Sequence, residues 1–163
     1  MDQLLITNVA DVTPTARPGR ATRFQFEPEP FAWPDTGVNI HVLAPGQPAC
    51  LYHSEPVQED FLVLHGHCLL IADDQEHALR QWDLVHLPAG VAHVFVGAGE
   101  GPCAVLMIGS RRQDEVHFPV SERAARYGAS VATPTDDGST AYADWWREPA
   151  RPVPNPWPLD RAQ

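Results

Sequence analysis

The sequence predicts an all-β protein, an antiparallel barrel or sandwich, and three observations lead there. About eight short runs of strand character lie between positions 37 and 108, spaced by turn signals and with no helical pattern among them. Proline and glycine are frequent, at 17 and 11 residues, which suits a chain of many turns and excludes a helical bundle. Hydrophobic residues are 44% of the chain and charged ones 20%, so the 163 residues make one globular domain with a sizeable core.

Residues 1–36 read as an N-terminal arm and edge strand. Leu4, Leu5 and Ile6 form a short apolar patch, and residues 22–26 alternate as a strand does. Pro28, Pro30 and Pro34 then force an extended loop, whose Phe31 and Trp33 are expected to lie over the core as a lid. Residues 37–43 set Val38, Ile40 and Val42 against Asn39, His41 and Leu43, a period of two. A turn at residues 44–48 leads to a strand at 50–55, which Pro56 interrupts before the strand at 60–64. Gly66 supplies a positive φ for a tight turn, after which residues 67–71 run back. Further short strands are expected at 77–80, 84–87, 92–96 and 103–108, so the barrel spans 37–109.

Residues 110–163 change character and read as an appendage on the barrel or on a partner subunit. Ser121 caps a short helix over 122–127 that Gly128 stops, and Ser139 caps a second one through Trp146. A proline-rich extended tail follows. Its Trp157, with Trp145 and Trp146, requires apolar surface to cover. Such arms bury little surface on their own, so exchange between identical subunits is expected, giving a homodimer.

The net charge of −10 argues against nucleic acid or an anionic membrane as partner, because phosphate binding needs clustered basic residues. Cys50, Cys68 and Cys103 each sit in an apolar run with no CxxC spacing, as buried free thiols do. Neither a signal peptide nor a membrane-spanning run is visible. The expected setting is the reducing cytoplasm.

The chemistry is concentrated between residues 51 and 96. His53 and Glu55, two apart, leave one face of a strand, Glu59 follows after a proline bend, and His93 arrives from the far end of the stretch. Imidazoles and carboxylates brought together in a small barrel bind a divalent metal, and two His with one carboxylate suit Fe(II) with open positions. Each residue alone reads as a solvated surface group; the four together read as a site. His86 reads as a turn partner, His65 and His67 as exposed, and His41 as inward-pointing. Tyr52 and Trp82 read as core aromatics, and Arg111-Arg112 as either a holder of a substrate carboxylate or a surface pair. No GxSxG, P-loop or GxGxxG is present, so acyl transfer and nucleotide binding lack support.

Two segments resemble the paired motifs of the cupin superfamily. Gly46-x6-His53-Ser54-Glu55-x3-Glu59-x6-Gly66 is similar to the first, and Trp82-x5-Pro88-Ala89-Gly90-x2-His93-x3-Gly97 to the second. The resemblance covers roughly residues 37–108. It implies a cupin double-stranded β-helix, a jelly-roll barrel, with the short C-terminal helices and tail attached. His53, Glu59 and His93 match metal-ligand positions, and Pro88, Gly90 and Gly66 match turn positions. Glu55 stands where the family has a second His, Trp82 replaces a Gly, and Gly97 replaces an Asn. His53-x-Glu55 with His93 also resembles the facial triad of 2-oxoglutarate oxygenases, although the interval to His93 is short for them.

The resemblance implies a divalent metal ion (Fe, Mn, Ni or Zn) held by His53, Glu59 and His93, with Glu55 as a further ligand or as the acid/base group. The added carboxylate favours Mn or Fe. The expected function is a metal-binding cupin, an oxygenase-type enzyme acting on a small polar organic molecule in the barrel pocket. The alternative is a small-molecule-binding or sensing cupin without turnover.

Overall fold

Along each long strand the inward side chains change from polar to apolar, and that gradient divides the interior into a cavity and a core. The computed structural model describes residues 4–27, 33–111 and 115–159. Its strands are β1 (Thr15–Ala16), β2 (Thr22–Gln25), β3 (Thr36–Leu43), β4 (Glu59–His65), β5 (His67–Ala72), β6 (Gln75–Arg80), β7 (Leu84–Leu87), β8 (His93–Ala98), β9 (Cys103–Ser110) and β10 (Arg151–Pro152). Among the described residues a 3-10 turn covers Val9–Asp11, and the helices are α1 (Glu122–Ala125) and α2 (Gly138–Ala141). One sheet has the order β10-β1-β2-β3-β9-β4-β7 and the other β6-β5-β8, with every neighbouring pair antiparallel.

Between the sheets, Leu43, Phe61, Val63, Cys68, Leu70, Phe95, Cys103 and Val105 form the main core. Moving along β3, β4, β8 and β9, the same inward files present Asn39 and His41, Glu59, His93, and Met107 and Gly109 to a cavity. Strand register sets this level: Glu59 faces Gly109 across β4 and β9, and Asn39 faces Met107 across β3 and β9.

Both outer faces are also apolar, because each is covered. On β3 the apolar set of the alternation, Ile40 and Val42, points outward and packs with Phe24 and Ala104 beneath Val9, Val12, Trp157 and Leu159. Val94, Val96 and Ile71 on the small sheet pack against Ala124 and Ala129 of the C-terminal segment. Strands covered on both faces lose clean alternation, which is why β5 and β8 read as continuous apolar runs.

The structure differs from the sequence reading in several places. Residues 50–55 are not a regular strand. The segment touches β8 only through bridges at Pro48–Val96 and His53–His93. Its further bonds go to the C-terminal segment, where Tyr52 N–H donates to Ala129 O at 2.7 Å and Ser54 and His117 exchange backbone bonds at 2.9 Å, and to the turn before β8, where Glu55 O accepts from Gly90 N–H at 2.8 Å. Pro48 and Pro56 bound the segment and break its ladder. Gly66, at φ 71, turns the chain from one sheet to the other and does not close a hairpin. A Cβ there would lie 2.5 Å from Pro102 O. The tight hairpin is at Asp73-Asp74, both at positive φ, so β6 starts two residues earlier than expected, at Gln75. Ser121 caps α1 as expected, whereas Asp137 caps α2, accepting from Ser139 N–H at 3.0 Å.

The two arms meet on their own barrel. β10 pairs with β1, and Asn155 Nδ2 donates to the carbonyls of Val9, Ala10 and Val12 at 2.9–3.1 Å. Trp33 is half-buried and donates its backbone N–H to Glu27, while Phe31 and Arg112 lie outside the described residues. Among the described residues no helix is long and apolar enough to cross a membrane. The three cysteines are free thiols, Cys68 and Cys103 buried and Cys50 half-buried.

Candidate metal centre

Glu59 opens β4 and His93 opens β8, so each is the first inward residue of its strand. His53 is brought beside His93 by a reciprocal pair of backbone bonds, 3.1 and 2.8 Å long. One donor atom from each of His53, Glu59 and His93 lies within 4.8 Å of the others. Gly109 lies beside the carboxylate, where a Cβ would stand in ordinary contact with Glu59 Oε1 at 3.5 Å.

The imidazoles are oriented by the chain itself. His53 Nδ1 lies 2.7 Å from Leu51 O, and His93 Nδ1 lies 3.1 Å from Val91 O. A carbonyl only accepts, so each Nδ1 carries the proton and each Nε2 turns its lone pair toward the cavity. His93 Nε2 is 3.4 Å from Glu59 Oε2, and His53 Nε2 is 3.7 Å from Glu55 Oε1. Lone pairs of a neutral imidazole and a carboxylate at that range repel unless a cation, proton or metal, lies between them. The donor set of two imidazoles and a carboxylate fits a first-row divalent ion.

The metal-free electrostatics show the same tension. Burial, then the charge of Glu55, pushes the Glu59 carboxyl up to about 7. Burial, then neighbouring His53, lowers His93 to about 4. Burial works to lower His53 too, but Cys50, Glu55 and the Leu51 carbonyl outweigh it and hold His53 well above the usual histidine value.

The cavity around these groups is about 350 Å³. Glu55 lines it but stands outside the convergent set of three, its side chain at the mouth beside His53. His41 lines it as expected, and Arg111 joins it while ion-paired with Glu27. His86 does not line it: the ring is exposed and bonds Asp60 at 2.7 Å. Tyr52 is core, its hydroxyl accepting from Asp74 N–H. Trp82 is neither core nor pocket aromatic to this cavity, being 67% exposed at φ 77 in the turn between β6 and β7. Sequence reasoning missed Arg23, Asn39, Met107, Ser110 and Tyr142 as cavity residues. For Arg23 and Asn39 a signal existed, since both alternate with the outward apolar set of β2 and β3. Tyr142 had none; it arrives from α2, packs edge-on to Phe118, and its hydroxyl accepts from Leu51 N–H at 3.1 Å.

The Cupin domain family model matches residues 39–109. Among solved structures the chain is similar to the polyketide cyclase RemF from Streptomyces resistomycificus, with TM-score 0.60 and 15% identity over 70% of this chain and 84% of that one. It is similar to a sugar phosphate isomerase of the cupin superfamily from Silicibacter pomeroyi, with TM-score 0.54 and 22% identity over 73% and 88%. A predicted oxalate decarboxylase from Thermotoga maritima aligns with TM-score 0.57 and 14% identity over 65% and 98%. At these identities the likeness concerns the fold, a double-stranded β-helix as the motif resemblance implied. No curated protein matches the chain in sequence.

Proposed function

We propose that the chain is a cupin and a metal-dependent enzyme, of oxygenase type, acting on a small polar organic molecule in the barrel cavity, a reading supported by the match of the Cupin domain model to residues 39–109. The observation that carries the reading is the convergence of two backbone-anchored imidazoles and a half-buried carboxylate on one point. His53, Glu59 and His93 would hold the ion, and Mn or Fe suits this mixed set. Three protein donors leave positions open, so a bound ion would supply Lewis acidity or redox chemistry to a molecule in the cavity.

The chain's own residues then have distinct tasks. The Leu51 and Val91 carbonyls fix the tautomer and tilt of the two rings. Phe61, Phe95 and Met107 make the apolar side of the cavity and exclude water. Glu55, at the mouth and 24% exposed, is the group able to take or give a proton to a bound molecule.

The test is metal analysis of the purified protein, followed by oxygen uptake with Fe(II) across a panel of small polar organic molecules. Uptake that needs the metal and vanishes in His93→Gln supports the reading. Ligand binding without turnover would instead favour a sensing or binding cupin.

A further inference from the structure

A second group of polar side chains lines the same cavity and has no part in holding an ion. It comprises Arg23, Asn39, His41 and Arg111, from β2, β3 and the residue after β9. Arg23 and His41 are direct cross-strand partners. Arg111 is fixed by its ion pair with Glu27, whose carboxylate is only 1% exposed and also accepts the Trp33 N–H at 2.9 Å. Gly37 opens the space Arg111 occupies, since a Cβ there would stand 3.2 Å from Nε.

Two features indicate a ligand. Asn39 Oδ1 and His41 Nδ1 are buried and bond to no protein atom. Buried polar atoms are costly unless something supplies their partners. Among the described residues, Arg23 has no carboxylate at ion-pair distance. Glu27 offsets one of the two guanidinium charges, and a divalent ion would offset Glu55 and Glu59. One positive charge is left over in the cavity, in a chain whose net charge is −10. That remainder matches a monoanion better than a phosphate monoester, which carries close to two charges at neutral pH. A planar guanidinium also fits a carboxylate through paired N–H donors.

We propose that Arg23, Arg111, Asn39 and His41 form the binding site for a small hydroxy- or oxo-monocarboxylate. Its carboxylate lies on the guanidinium groups; a hydroxyl donates to Asn39 Oδ1 and accepts from His41 Nδ1–H, whereas an oxo oxygen accepts from His41 alone. The proposal deepens the metal-dependent reading by giving the substrate class; turnover and the charge count rest on that reading, while the two guanidinium groups and the unpartnered Asn39 and His41 atoms do not.

Calorimetric titration of the full-length protein, Mn(II)-loaded and EDTA-treated, tests it with lactate, pyruvate, neutral lactamide and inorganic phosphate. Lactate or pyruvate is expected to bind at least tenfold more tightly than lactamide and phosphate. Arg23→Gln and Asn39→Asp should each remove at least tenfold of that affinity while leaving Mn(II) affinity unchanged. Should Arg23→Gln fail to fold, Arg23→Lys keeps the charge and is expected to keep part of the preference. Equal binding of lactamide, tighter binding of phosphate, no binding of either acid, or variants that bind like the parent would overturn the proposal. Arg23-dependent lactate binding in a protein that takes up no Mn(II) would support the carboxylate site and overturn the metal reading.

Discussion

His53 and His93 hydrogen-bond to each other's backbones in both directions, and their ring centroids stand 4.9 Å apart. The pairing is made by main-chain atoms, so replacing either side chain leaves it in place. His53→Gln and His93→Gln are therefore expected to fold, with metal-free melting temperatures close to the parent's. Their affinity for Mn(II) or Fe(II) should fall at least about 100-fold, since loss of an outer-sphere partner alone costs about 10–100-fold. Calorimetry and thermal melts on the same samples check both halves.

Metal affinity should rise with pH up to about 7. Glu59 is pushed up to about 7, mainly by burial, and His53 is also raised, so an ion must displace protons to enter. Below that pH the affinity is expected to fall about tenfold per unit for each proton displaced. Stability of the metal-free protein is a poorer readout because two contributions oppose. A raised Glu59 loses stabilisation as pH climbs from about 4.5 to about 7. A lowered His93 loses it as pH drops from about 6.5 to about 4. A flat affinity between pH 5.5 and 7 would contradict a site built on Glu59.

Glu55→His restores the imidazole that the related motif carries. If the carboxylate reaches the ion, the exchange should shift preference toward Zn or Ni, which imidazole suits better, and away from Mn. Competition between metals measures the shift. Unchanged preference together with lost turnover would assign Glu55 to proton transfer alone.

Trp82 occupies the position of a motif glycine and keeps the glycine conformation, at φ 77. A bulky residue in the left-handed region costs roughly 1–2 kcal/mol, and its ring is 67% exposed. Trp82→Gly is therefore expected to stabilise the protein by about 1 kcal/mol after the entropy of glycine is subtracted, seen as a higher melting temperature. A lower one would mean that the ring, which borders a surface groove with Trp157 and Pro158, contributes more than the backbone strain costs.

A homodimer is expected in solution. The tail lies on its own barrel through β10 and β1, yet Leu4 and Ile6 remain 84% and 85% exposed at the front of the chain. Burying them against a second copy removes that apolar surface from water. Light scattering should give twice 18.0 kDa. Leu4→Ser with Ile6→Ser should lower that mass, and a monomeric parent protein would refute the expectation.

The convergence of His53, Glu59 and His93 was legible in part: Pro56 and Gly90 each stand three residues before Glu59 and His93 and constrain where β4 and β8 begin, while Glu55, expected with them, stands outside the convergent set. The strand expected at residues 50–55 was misjudged because many of the segment's hydrogen bonds go to residues 117, 129 and 142, which no local pattern announces. The far wall of the cavity was hidden for a similar reason. Arg23 reaches it through the register of β2 on β3, and Tyr142 through a helix more than a hundred residues later. The alternation in β3 was visible, but not that its apolar side faces outward, since that depends on arms from both ends of the chain covering it.

Phe118 packs beside His53 and Tyr142 lines the cavity from a part of the chain that lies outside the span matched by the family model, and Arg23 lines it from the other side of that span. Part of the space beside the candidate ion-holding residues is thus shaped by stretches of sequence separate from the one that carries His53, Glu59 and His93. Substitution, insertion or replacement of the flanks can change what enters the barrel without altering a single donor atom.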